Sequence, residues 1–141
     1  MSKQQRVFFS VACWVALLTA GLHMLGHAQG APVPANDAEA TLFKLMASYE
    51  IDAAGTRLTI EKLLNGFSLS FSLLLAWIGG LGLAVLRRGG PKLVRGVALI
   101  NAILTAVLLA ISVTHFPLPP TVCIAVVLVG FMGAAIAGRS Q

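Results

Sequence analysis

Residues 65–88 read NGFSLSFSLLLAWIGGLGLAVLRR and decide the fold of this chain. No ionisable side chain lies between Gly66 and Leu86, and the apolar run ends at a pair of arginines. About 20 residues at ~1.5 Å each cross a hydrocarbon core that is about 30 Å thick. Because lipid offers the backbone no hydrogen-bonding partners, such a run has to be helical. The stretch therefore predicts a membrane-spanning helix.

The composition agrees with a membrane protein. The chain has 141 residues, of which 57% are hydrophobic and 11% are charged, whereas soluble domains carry about 25% charged residues. A water-soluble fold of this length would have to enclose more apolar surface than it can bury. The two cysteines, Cys13 and Cys123, lie inside apolar runs without a CxxC or metal-ligand spacing, so we interpret them as small hydrophobic residues.

Three further apolar runs, residues 7–26, 94–113 and 121–137, predict three more spans. Together with residues 65–86 they predict an all-α fold, a four-helix transmembrane bundle in which residues 1–141 form a single integral membrane domain. A proline-rich connection separates the last two spans.

The first span has a second interpretation as a signal peptide. It has a basic start and an apolar middle, and the small residues Gly26 and Ala28 suit peptidase cleavage after Ala28. Its apolar part is about 19 residues long, however, and the core of a signal peptide usually has about 7–15. We therefore favour a retained span.

Residues 28–64 form the one long polar segment and contain all five acids. After a proline-containing loop, Asn36 or Asp37 can cap a helix. The apolar positions of this helix recur at helical spacing, and they are Leu42, Leu45, Met46 and Tyr49. The pattern predicts an amphipathic helix on the membrane surface, followed by a second helical stretch from about Thr56 that runs into the central span.

The basic residues predict the orientation. Seven of them flank one side of the predicted spans and three the other, and basic residues near span ends stay cytoplasmic. We expect a multi-pass protein of the bacterial inner membrane with both termini cytoplasmic and residues 28–64 outside. The basic side would meet anionic lipid headgroups. The sequence has no basic stripe interleaved with aromatic residues, so we expect no nucleic-acid partner.

Three histidines are candidate metal ligands. His23 and His27 are four residues apart and share one helix face, and His115 falls at a similar predicted depth. Such a set could bind zinc, copper or haem. Alternatively, the histidines only form hydrogen bonds at the interface. HxxxH lacks the glutamate of the HExxH motif, so our first expectation is that there is no cofactor.

Polar residues within the spans form a second group of candidates. Asn65, Ser68 and Ser72 share one face at the outer end of the central span. They could line a pocket for a small molecule or a quinone, or could form hydrogen bonds between helices. Asn101 lies near the middle of its span, where an amide needs a partner. No acid or base lies deep in a predicted span, which argues against a proton pump.

Small residues recur at four-residue spacing in two of the spans, which allows helix backbones to approach closely. The two sets are Ala76, Gly80 and Ala84 in the second span and Gly130, Ala134 and Gly138 in the fourth. Each set could form a homo-oligomer interface or pack within the monomer.

Several motifs together carry a resemblance to a family. The HxxxH pair, Arg57 and the stretch LLNGFSLSFSLLL at residues 63–75 resemble a family of small bacterial four-span membrane proteins without an assigned activity. The four-span plan is also similar, distantly, to that of DoxX-like proteins. The resemblance implies an inner-membrane protein and adds no catalytic residues.

These observations favour a non-enzymatic accessory or scaffold protein that packs against itself or against a larger membrane complex. A metal- or haem-binding protein and a small oligomeric transporter are the two alternatives. The sequence contains no nucleophile elbow, phosphate loop or Ser/His/Asp set.

Overall fold

The computed structural model describes residues 1–30 and 32–139, apart from the side chain of Ala53. Ala31 of the predicted outer loop lies outside the described residues, as do Ser140 and Gln141. The described residues form five helices and one two-stranded hairpin. In chain order the elements are α1 (Lys3–Ala28), α2 (Asp37–Ser48), β1 (Glu50–Ala53), β2 (Thr56–Thr59), α3 (Ile60–Arg88), α4 (Pro91–His115) and α5 (Leu118–Ala137).

Four of these helices, α1, α3, α4 and α5, are long and apolar enough to cross a membrane. This confirms the predicted all-α membrane bundle, and the protein is a multi-pass membrane protein. Helices α1 and α3 begin before the apolar runs, each after a residue whose side chain caps the helix, whereas α4 and α5 have no side-chain cap hydrogen bond at their starts. The Thr59 hydroxyl, for example, accepts a hydrogen bond of 3.3 Å from the Lys62 N–H, so that α3 begins five residues before the predicted span.

Helix α2 begins where the sequence predicts. The Asn36 side chain accepts a hydrogen bond of 2.9 Å from the Glu39 N–H, and the Glu39 carboxylate accepts one of 2.7 Å from the Ala35 N–H. These two bonds satisfy amides that a helix start leaves free. No residue of α2 is buried, and Leu42 and Leu45 are both more than half exposed. Its contact with a membrane surface stays a prediction.

The predicted helical stretch from Thr56 is confirmed from Ile60, where α3 begins, but it is wrong for residues 56–59, which pair with residues 50–53 in an antiparallel hairpin. Its two-residue turn places Ala54 at φ 53° and Gly55 at φ 83°, the left-handed conformations that a tight hairpin of this type requires. The Asp52 carboxylate accepts a 2.9 Å hydrogen bond from the Gly55 N–H and stabilises the turn. The β-branched residues Ile51 and Thr59 also suit strands.

Helix α1 is, with α5, one of the two inner helices of the bundle. It packs between α3 and α5, and α5 packs in turn against α4, whereas the consecutive helices α3 and α4 make few contacts. In the core the fully buried rings of Phe9 and Phe131 meet edge to face, with centroids 5.5 Å apart. The first and last of the four long helices, α1 and α5, are therefore packed together, whereas the consecutive helices α3 and α4 are not.

Glycines allow α1 to approach both of its neighbours. A Cβ atom added at Gly79 of α3 would lie 2.6 Å from the Cys13 carbonyl oxygen. A Cβ added at Gly130 of α5 would lie 2.8 Å from the Ala12 Cβ. Such distances leave no room for a side chain, and the helix backbones are in direct contact there.

The two small-residue sets have different surroundings. Gly130, Ala134 and Gly138 are all buried within the monomer. In contrast, Gly80 and Ala84 of the α3 set are exposed and Ala76 is half-buried, and a Cβ at Gly80 would meet nothing within 4 Å. Helix α3 packs on α1 through Gly79 and Gly82, which the four-residue spacing did not single out.

The bundle has two chemically different ends. The Ser2 hydroxyl donates to the Ala137 carbonyl oxygen over 3.4 Å, and the Gln5 Nε2 donates to the Pro91 carbonyl oxygen over 3.2 Å. The start of α1, the end of α5 and the α3–α4 turn thus lie together, with seven basic residues in or beside them, and we call this the basic end. The opposite end carries α2, the hairpin and all five acids, and we call it the acidic end.

Candidate functional site

A cavity of about 710 Å³ opens at the acidic end between α1, α3 and the beginning of α5. It is lined by Thr19, Leu22 and His23 of α1, by Leu64, Phe67, Ser68 and Phe71 of α3, and by Phe116, Pro117, Pro119, Pro120 and Cys123. Its volume and its mainly apolar lining are typical of small-molecule sites, which usually measure about 300–1,000 Å³.

The ends of α1, α3 and α5 around the cavity are less buried than their middle parts. Within the described ranges, no residue is buried in α1 after Ala20, in α3 before Ser72 or in α5 before Ile124. The rigid rings of Pro119 and Pro120 in the first turn of α5 form part of one wall. The core seals the basic end of the bundle, and the acidic end is left open.

Two aromatic contacts hold the α4–α5 connection beside the cavity. The Phe71 ring lies 5.7 Å from the His23 ring, centroid to centroid, in an edge-to-face arrangement. It also lies 6.0 Å from the Phe116 ring. Aromatic pairs at such distances attract each other beyond the burial of their surface. Phe71 therefore links α1, α3 and the α4–α5 connection.

The polar group of the site is a histidine–serine pair. His23 Nε2 and Ser68 Oγ are 2.8 Å apart and joined by a hydrogen bond. A neutral histidine and a serine hold one N–H and one O–H, and the bond between them uses only one of these protons. In either tautomer, the pair keeps one free donor and at least one free acceptor. It can therefore bind a carbonyl or hydroxyl group of a ligand.

The other polar atoms of the lining are less available. The Thr19 hydroxyl donates to the Val15 carbonyl oxygen, 2.8 Å away, within its own helix. Cys123 is half-buried and presents a thiol. The lining residues include no carboxylate, lysine or arginine.

The structure does not bring the three histidines together. His23 bonds to Ser68, His27 lies one helical turn further along α1, and the His115 ring bonds to the Ile111 carbonyl oxygen at 3.1 Å in its own helix. Across residues 1–30 and 32–139, no group of three His, Cys, Asp or Glu side chains could hold a metal ion. This arrangement gives the metal hypothesis no support.

The three residues of the polar face predicted on the central span have different surroundings. Ser68 lines the cavity, whereas Ser72 is buried and donates to the Ser68 carbonyl oxygen at 3.2 Å, and Asn65 is exposed and outside the lining. Asn101 is half-buried in α4, and its carbonyl oxygen accepts a 2.6 Å bond from Thr105. Among the described residues, the Asn101 side chain has no hydrogen bond of its own.

The sequence reasoning missed the apolar half of the site. Leu64, Phe67, Ser68 and Phe71 follow the i, i+3, i+4, i+7 spacing of a single helix face. The aromatic and proline residues of HFPLPP at 115–120 lie across from this face. This spacing can be read from the sequence. The sequence does not show which connection between helices lies opposite that face.

Comparisons of the chain with protein-family models, with curated proteins and with solved structures found no match. What the cavity binds is therefore inferred from the residues that line it.

Proposed function

We propose that this membrane protein is a non-enzymatic accessory protein that binds an apolar ligand in the acidic-end cavity. The ligand class is an isoprenoid or acyl-chain molecule whose head carries a carbonyl or hydroxyl group. The observation that carries the proposal is the His23–Ser68 pair at the edge of an otherwise apolar cavity of about 710 Å³. Such a combination orients a ligand by one polar contact and binds it by apolar burial.

The surroundings of the cavity support a ligand that comes from the bilayer. Leu22, Leu64 and Phe67 are all about half exposed or more although they line the site. Because these residues lie on helices that cross the membrane, a lipid-soluble molecule would enter between α1 and α3 without passing through water. The mainly apolar lining supports the binding of such a molecule.

The location and orientation are part of the proposal. Seven basic residues at the basic end against three near the acidic end support a cytoplasmic basic end in a bacterial inner membrane. The cavity would then open toward the outer leaflet. The inner position of α1, which supplies Phe9, Ala12, Cys13 and Ala16 to the core, supports its retention as a span. No observation on the described residues favours the metal, haem or transporter alternatives.

The native cysteines provide a binding assay. Cys123 lines the cavity, whereas Cys13 is fully buried between helices. In detergent, N-ethylmaleimide should modify Cys123 alone, and bound farnesol or a short-chain quinone should slow this reaction. A Leu22→Trp variant should fill the cavity and abolish the protection. Leu18→Trp is the matched control, because Leu18 is as exposed as Leu22 on the same helix but does not line the cavity.

Two results would contradict the proposal. One is that neither probe slows the modification of Cys123 in the wild-type protein. The other is that the Leu22→Trp and Leu18→Trp variants show the same protection, since the protecting molecule would then bind elsewhere.

The polar pair has a separate test. Farnesol and the hydrocarbon farnesene share a chain and differ in the hydroxyl group. One hydrogen bond is worth about 0.5–1.5 kcal/mol, so we expect farnesol to bind about 2- to 12-fold more tightly. The preference should disappear in a variant that combines His23→Phe, which keeps an aromatic ring beside Phe71, with Ser68→Ala, because His23→Phe alone leaves the Ser68 hydroxyl free to bind farnesol. A preference that survives both substitutions would show that the pair does not contact the ligand.

A further inference from the structure

A second groove, of about 200 Å³, lies between α4 and α5 at the basic end. Its walls are apolar and include Leu99, Met132 and Ile136, and its lining also includes Arg95 and Arg139. It is distant from the His23 cavity, because Arg95 begins α4 and Arg139 follows α5 at the end opposite the acidic residues. It is therefore a separate site.

The position of Arg95 is set by close packing. A Cβ added at Gly138 would lie 3.2 Å from the Arg95 Cβ and would overlap the Gln5 side chain. Gln5 is fully buried and donates to the Pro91 carbonyl oxygen at the start of α4. These contacts hold the first turns of α4 against the end of α5, and so bring the two arginines to one groove.

Among the described residues, the charged side chains at this groove are all basic. The five acidic side chains of the chain lie between residues 37 and 61, at the other end of the bundle. Arg87, Arg88 and Lys92 lie close by in sequence around the α3–α4 turn. No acidic side chain is thus available to neutralise Arg95 and Arg139, and both arginines are exposed.

We propose that this groove binds one anionic phospholipid, with its phosphate between the Arg95 and Arg139 guanidinium groups and an acyl chain along the α4–α5 groove. Guanidinium groups form charge-assisted, often bidentate hydrogen bonds to phosphate. Basic pockets between membrane helices on the cytoplasmic side are known to take anionic headgroups. The apolar walls directly below the arginines match the chain of a lipid and do not match a free phosphate ion.

The test compares two double variants that each remove two positive charges from the same end. Arg95→Gln with Arg139→Gln removes the groove arginines, whereas Arg87→Gln with Arg88→Gln leaves the groove intact. All four residues are exposed, so the fold should persist, and circular dichroism in zwitterionic detergent verifies this. Native mass spectrometry then measures how much phosphatidylglycerol each protein retains during titration.

If each arginine contributes as much binding free energy as a basic residue does at an anionic membrane surface, the Arg95→Gln, Arg139→Gln variant should bind phosphatidylglycerol about 25-fold more weakly than the wild type. The Arg87 and Arg88 variant should remain within about threefold of the wild type. Phosphatidylcholine should bind all three proteins equally weakly, and inorganic phosphate should not compete. Equal losses in the two double variants would overturn the proposal, as would competition by inorganic phosphate at millimolar concentration.

Discussion

A methyl group added at Gly79 tests whether α1 and α3 are in backbone contact. In the structure, the new Cβ would lie 2.6 Å from the Cys13 carbonyl oxygen and 2.6 Å from the Leu17 Cγ. The leucine side chain can rotate away, but the carbonyl oxygen belongs to the α1 backbone and cannot. Restoring a separation of 3.0 Å requires the helices to part by about 0.4 Å at this level.

The size of the effect follows from two opposing terms. Parting the helices weakens dispersion contacts along the interface, and overpacking of this kind costs about 1–3 kcal/mol. Replacing a helical glycine by alanine also gains up to about 1 kcal/mol in helix propensity. Gly80→Ala is the matched control, because a Cβ at the neighbouring Gly80 meets nothing within 4 Å and only the propensity gain applies.

The assay is unfolding by sodium dodecyl sulfate in mixed micelles, followed by the fluorescence of Trp14 in α1 and Trp77 in α3. We expect the free energy of unfolding of Gly79→Ala to fall about 1–3 kcal/mol below that of Gly80→Ala. Equal unfolding midpoints for the two variants would refute the packing of α1 against this face of α3.

Three further predictions follow from the same structure. Gln5→Met should change the free energy of unfolding by less than about 1 kcal/mol, because it removes both the bond to Pro91 and the buried, unpartnered Gln5 Oε1. Gln5→Ala should lower the free energy of unfolding by about 2–3 kcal/mol, because it leaves a void. Chemical unfolding measures both changes. Gly55→Val should disrupt the hairpin turn, where φ is 83°, and increase amide exchange in residues 50–59 without lowering the unfolding midpoint of the bundle. Alkaline phosphatase fused after Pro117 should be active if the acidic end is extracytoplasmic. If this fusion is inactive, and a cytoplasmic reporter fused at the same site is fluorescent, the proposed orientation is wrong.

Local chemistry explains which features were predictable. The spans follow from uninterrupted apolar runs, since a backbone in lipid has no alternative to the helix. The start of α2 follows from Asn36, because an N-cap needs only a side chain and an amide three residues away. The hairpin was missed because the helix of the central span was predicted to begin as early as Thr56. Gly55 and the alternating residues around it nevertheless favour a two-residue turn.

The sequence by itself determined that this protein has four segments long and apolar enough to cross a membrane, because apolar length and composition are properties of each segment alone. Only the tertiary structure decided that α1 and α5 are the inner helices, that α3 contacts α1 through Gly79 and Gly82, and that His23 pairs with Ser68. A residue count along a helix predicts the depth of a side chain in the membrane. It does not predict the neighbour toward which that side chain points, because this depends on how the helices pack around one another.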